Sequence, residues 1–217
     1  MSTAEKLIVN LDQEHGALRF AILLSFIGAW VVLFILFSAL IPNQGFSLLA
    51  IILGFAGAYL LAALLERNLK GRWHSGRVIE IDQDGVRMRR GTTLDGEILS
   101  EDPARALLWR FTVTKRARVP KGTVMFACAL QFEDTYLTVY TFVPPKQVDS
   151  FEFADRFANL LTKKQAANEQ EDLRLAGEQR RLRDAENNRW ARGGEMSLVD
   201  FTTYIQRLKA QYPEWLD

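Results

Sequence analysis

The chain has 217 residues, of which 48% are hydrophobic, and its 27 Lys and Arg stand against 26 Asp and Glu. A net charge of +1 supplies no electrostatic footprint for nucleic acid, and the length holds one domain of ordinary size beyond any membrane segment. The single cysteine, Cys128, excludes an intrachain disulfide and a cysteine-based metal cluster, and two histidines on opposite sides of the apolar region do not make a metal site.

Residues 1–19 mix Glu5, Asp12 and Glu14 with Lys6 and Arg19. This is too long and too acidic for the front of a signal peptide, and no small-residue cleavage pattern follows, so the first apolar run is expected to remain as an anchor. Leu7, Ile8, Val9 and Leu11 are read as a short interfacial helix or as a mobile tail.

Residues 20–65 organise the chain. Two runs, Phe20–Ile41 and Phe46–Leu65, contain no Asp, Glu, Lys, Arg or His and are separated by Pro42-Asn43-Gln44-Gly45. Each run as a helix is roughly 30 Å long, the thickness of a bilayer core, and backbone in lipid must satisfy its own hydrogen bonds. The spacing predicts a transmembrane helical hairpin. Lys and Arg lie beside it only at Lys6, Arg19, Arg67, Lys70, Arg72 and Arg77, which places both termini in the cytoplasm. Ala50, Gly54, Ala58 and Ala62 form a small-residue stripe on the second helix, and Ala21, Ser25 and Ala29 form one on the first. Such stripes let helices approach closely in lipid, within one chain or between copies. No ionisable group lies inside either run, which argues against a transporter or channel acting alone.

Beyond residue 72 the pattern changes to alternation. Val78–Ile81, Val86–Arg90, Leu107–Thr114, Thr123–Phe132 and Tyr136–Val143 read as strands, with Asp84-Gly85, Gly91 and Asp95-Gly96 marking turns and Pro144-Pro145 ending the sheet. Phe153, Phe157, Leu160 and Leu161 then fall on one face of an expected helix capped by Asp149 or Ser150. The fold class is α+β: the hairpin, a small antiparallel β-barrel or sheet closed by a helix at 72–162, then a helical tail. Cys128 sits in Phe126-Ala-Cys-Ala-Leu130 and reads as a buried structural thiol.

This order resembles bacterial membrane proteins with a pleckstrin-homology-like domain, including the YcxB-like group. The residues carrying the resemblance are Ile79–Gly85, Leu108-Trp109 and Val143-Pro-Pro-Lys146 running into Phe151–Leu161. It covers residues 20–162 and implies an inner-membrane protein whose cytoplasmic module binds or scaffolds, with no catalytic activity and no cofactor. Lys115, Arg116, Arg118 and Lys121 lie in one loop and are candidate contacts for anionic lipid head groups; the alternative is a solvated loop.

In the tail, residues 163–196 form a charged arm, expected as an exposed, extended helix or a partly ordered linker, broken at Gly193-Gly194. Residues 197–217 form an amphipathic helix. Ser197 and Asp200 make a capping pair, and Leu198, Phe201, Ile205, Leu208 and Tyr212 lie on one face that must dock on the β-module, a second copy or another protein. The sequence contains no P-loop, dinucleotide fingerprint, zinc-protease motif or nucleophile elbow. The readings are a membrane-tethered binding or scaffolding module, an accessory subunit of a larger membrane complex, and a membrane enzyme with an unrecognised site.

Overall fold

The structure, a computed structural model, describes residues 6–12, 15–41, 48–114, 119–161 and 173–216. The chain divides into two compact units, one of Asp12–Ser75 and one of Met1–Leu11 with Gly76–Asp217. The turn at 42–45 lies outside the described residues.

The first unit is a helical hairpin of α1 (Gly16–Leu40) and α2 (Leu48–Lys70), both long and apolar enough to cross a membrane. Their outward faces carry large apolar side chains, among them Leu23, Leu24, Val32, Ile35 and Leu60. In water such a surface would be very costly, since each exposed Leu or Ile forgoes roughly 1.5–3 kcal/mol of burial. The two helices meet asymmetrically. Ala50, Gly54, Ala58 and Ala62 of α2 are buried in the contact. Ser25 of α1 is exposed, and Ala21 and Ala29 are only half-buried. Over Gly54 lie the Phe34 backbone and the Trp30 ring, and an added Cβ there would come within 3.1 Å of the Phe34 backbone nitrogen. On α2 the small residues form the surface against which α1 packs closely.

The second unit begins with β1 (Leu7–Asn10), which pairs antiparallel with β2 (Arg77–Asp82). The expected helix or mobile tail is therefore a strand, because Leu7, Val9 and Leu11 point inward while Ile8 and Asn10 are exposed, the two-residue period of a strand. β3 (Gly85–Arg90) and β4 (Thr93–Leu99) complete a four-stranded antiparallel sheet in the order β1-β2-β3-β4. The β2–β3 turn requires glycine. At Gly85 φ is +150°, and a Cβ would sit 2.2 Å from the carbonyl oxygen of Ile98. Asp95-Gly96, expected as a turn, lies inside β4, where the register against β3 shifts at Met88/Arg89. This bulge turns Asp95 toward Arg77.

A second sheet is formed by β5 (Arg105–Thr112), β6 (Val124–Phe132) and β7 (Thr135–Val143), flanked by two-residue strands β8 (Ala158–Asn159) and β9 (Gly194–Glu195) in the order β8-β5-β6-β7-β9. Both edge strands pair in parallel, so this sheet is mixed, and the two sheets do not close into a barrel. The helix expected across 151–161 is absent. After a four-residue helical turn, α3 (Pro145–Val148), the chain makes one 3-10 turn at Ala154–Arg156 and enters β8. Phe151, Phe153 and Phe157 are all buried against Phe126 or one another. Residues two apart cannot share a helical face, so burying both Phe151 and Phe153 is incompatible with one regular helix, and the segment turns instead.

Two helices follow, α4 (Leu173–Arg192) and α5 (Leu198–Gln211). α5 supplies the helix of the main core: Phe201, Tyr204, Ile205 and Leu208 join Ile79, Ile81, Val86 and Ile98 of the first sheet and Phe126, Cys128, Leu130 and Val139 of the second. Ser197 caps it, with its hydroxyl oxygen accepting from the Asp200 amide at 3.1 Å. α4 packs on the opposite face of the mixed sheet, where Leu182 and Ala185 join Leu107, Trp109, Met125, Ala127 and Ala129. The arm expected to be exposed is a docked helix over its described length.

Candidate functional site

The outer face of the first sheet is filled by its own ion pairs. Glu80 meets Lys6 at 2.9 Å and Arg89 at 3.6 Å, and Arg87 meets Asp82 at 2.7 Å and also Glu97. The Arg87 guanidinium is held above its usual range, first by its hydrogen bond to Glu97 and then by the charges of Asp82 and Glu97. A face whose charges are already matched offers little to a ligand.

The mixed sheet is different, because α4 crosses it from edge to edge. At the β8 edge, Gln179 accepts from the Leu161 amide and donates to the Asn159 carbonyl, both at 3.0 Å. Over β5, the indole N–H of Trp109 donates to Glu186 at 2.9 Å. Glu186 also accepts two hydrogen bonds from Arg189, whose guanidinium lies 4.8 Å from the Tyr140 ring centre on β7. At the β9 edge, the carbonyls of Arg192 and Gly193 accept from the Arg77 guanidinium, which also faces Asp95 at 3.5 Å. Few buried apolar residues hold α4, so most of its attachment is polar and charge-assisted.

A helix laid across a sheet leaves a depression on each side. On one side lies a polar cleft of about 430 Å³, lined by Arg77, Arg90, Asp95, Glu97, Asp134, Asn188 and Arg192 among others. Its charges largely face one another: Asp95 meets Arg77 and Arg90, and Glu97 meets Arg87. On the other side lies a groove of about 340 Å³ between Phe111, Val113, Met125 and Phe142 of the sheet and Arg189 and Trp190 of α4. Trp190 is 83% exposed. Among the described residues no carboxylate lines this groove.

The sequence-predicted residues fall into three groups. Of the basic loop, Lys115, Arg116 and Arg118 lie outside the described residues, and Lys121 is exposed beside Gly122. Of the small-residue stripes, the α2 set is buried, while on α1 Ala21 and Ala29 are half-buried and Ser25 is exposed. Of the amphipathic face, Phe201, Ile205, Leu208 and Tyr212 are buried and Leu198 is half-buried, all against the core of their own unit. Cys128 is fully buried and desolvation pushes its thiol up to about 12, so it is inert as a nucleophile. Tyr204 is likewise raised by burial, and among the described residues its hydroxyl has no hydrogen-bond partner. Among the described residues no cluster of His, Cys, Asp or Glu is placed to hold a metal ion. Sequence reasoning missed Trp190 and the groove; the available signal was a tryptophan at the end of an arginine-rich helix. Comparison of the chain with family models, curated proteins and solved structures returned no match.

Proposed function

We propose that this chain is an integral protein of a bacterial inner membrane whose hairpin tethers a cytoplasmic binding or scaffolding module, pleckstrin-homology-like in the sense of the resemblance above. The observation that carries the reading is the outward surface of α1 and α2, which is apolar on all sides over bilayer length, while the nearby cations lie at the ends remote from the connecting turn. The module adds binding surfaces rather than a reaction centre: a polar cleft whose acids face arginines, and an aromatic groove. The test is an alkaline carbonate wash of membranes from cells expressing the full chain, beside a variant lacking residues 16–70. Retention of the first with release of the second is the expected outcome; release of both would contradict the tether.

A second reading, an accessory subunit of a larger membrane complex, is favoured by one feature of α1. Its small residues Ser25 and Gly28 are exposed, and no atom of the described residues lies within 4 Å of a Cβ placed at Gly28. Another membrane helix could pack there. Co-purification from native membranes in mild detergent distinguishes the two, since a stoichiometric partner protein supports the subunit reading.

A further inference from the structure

We propose that the flank of α4 bearing Arg180, Arg183 and Trp190, together with the aromatic groove beside it, docks on an anionic lipid leaflet. This rests on the membrane reading above and names what the module binds.

Arg180, Arg183, Asn187 and Trp190 recur at three- and four-residue spacing and share one side of α4. α4 carries six arginines against three acidic residues. Among the described residues no ion pair forms at Arg180, Arg181 or Arg183, and one guanidinium nitrogen of Arg183 is buried with no acceptor. This contrasts with the first sheet, whose arginines are matched in place. The partner must therefore bring negative charge. It must also suit Trp190, which holds its ring 83% exposed at the mouth of a groove that no described carboxylate lines. An indole beside unpaired arginines is the chemistry of a head-group interface, where the ring enters the acyl boundary and the guanidinium groups meet phosphate. The chain supplies the leaflet: residues 71–76 alone separate α2 from β2, and six residues extend at most ~20 Å. An acidic protein would meet the arginines equally well, but nothing places one nearby.

The test uses the full chain with Cys128→Ala and a nitroxide on Asn187→Cys, in nanodiscs of phosphatidylcholine alone or phosphatidylcholine with phosphatidylglycerol. A second label, on Val32→Cys in α1, reports the hairpin. The expected result is that the label at 187 gains collisions with oxygen and loses collisions with a water-soluble nickel chelate only in the anionic discs. Arg180→Gln with Arg183→Gln then lowers the docked fraction roughly tenfold. A label at 187 that stays aqueous in both lipids, or docks regardless of lipid charge, overturns the proposal while a lipid signal at 32 leaves the tether standing. Shielding at 187 in native membranes but not in anionic discs identifies a protein partner and overturns it too. An aqueous signal at 32 overturns the membrane reading and this proposal with it.

Discussion

Cys128 and Trp109 show how much a single side chain can settle. Burial lifts the Cys128 thiol from 9.0 to about 12. The unfolded chain releases this proton near pH 9 and the folded chain holds it, so folded protein binds more protons between pH 9 and 12. The thiol's contribution is complete below pH 9 and is lost as pH rises, by up to ~1.4 kcal/mol per pH unit. Denaturant titrations at pH 8 and 10 should show this loss, and Cys128→Ala should reduce it, leaving the smaller part that buried Tyr204 contributes near pH 10. Native protein should also resist alkylation that proceeds readily in denaturant. Trp109 makes a different point. Its ring is buried and its N–H reaches Glu186 across 77 residues of chain. Trp109→Phe removes the donor and should cost about 1–3 kcal/mol, because Glu186 loses a charge-assisted partner. Glu186→Gln keeps an acceptor for the indole but removes the charge that pairs the buried Arg189 guanidinium, so it should cost at least as much. Ranking the two by thermal unfolding checks the latch.

At the scale of elements, legibility followed periodicity. The strands β2, β3, β5, β6 and β7 were readable because alternation and turn chemistry agree. α5 was readable because its cap and its apolar stripe coincide. β1 was missed, although Leu7, Val9 and Leu11 alternate, because four residues are too few to separate strand from helix. The segment after Pro145 was misread because Phe153, Phe157 and Leu160 fit a helical stripe while the burial of Phe151 rules it out, and burial is a tertiary fact. α4 was misplaced because a helix attached by polar atoms carries no stripe. The groove was invisible for the same reason, since it exists only where α4 crosses the sheet. Two predictions belong here. Phe201→Ala, in a fully buried site facing Phe151 and Phe157, should cost about 3–5 kcal/mol and expose the core to proteolysis. Gly54→Leu should separate α1 from α2, since even a Cβ there is crowded by Phe34, and crosslinking between cysteines placed on the two helices should fall.

For the whole molecule, the two units carry different solvent chemistry. One presents apolar side chains outward along both of its helices, and the other buries its apolar residues around two sheets and α5. The proposed division of labour follows: the hairpin selects the location and the module supplies the surfaces. Everything assigned to those surfaces depends on where the hairpin resides. The most direct measurement places a cysteine at Asn43 in a Cys128→Ala background and labels intact spheroplasts with a membrane-impermeant maleimide, beside a second variant with the cysteine at exposed Lys121. The account predicts labelling at position 43 from outside and at position 121 only after lysis. Labelling at 43 only after lysis, or recovery of the chain in the detergent-free soluble fraction, would contradict it.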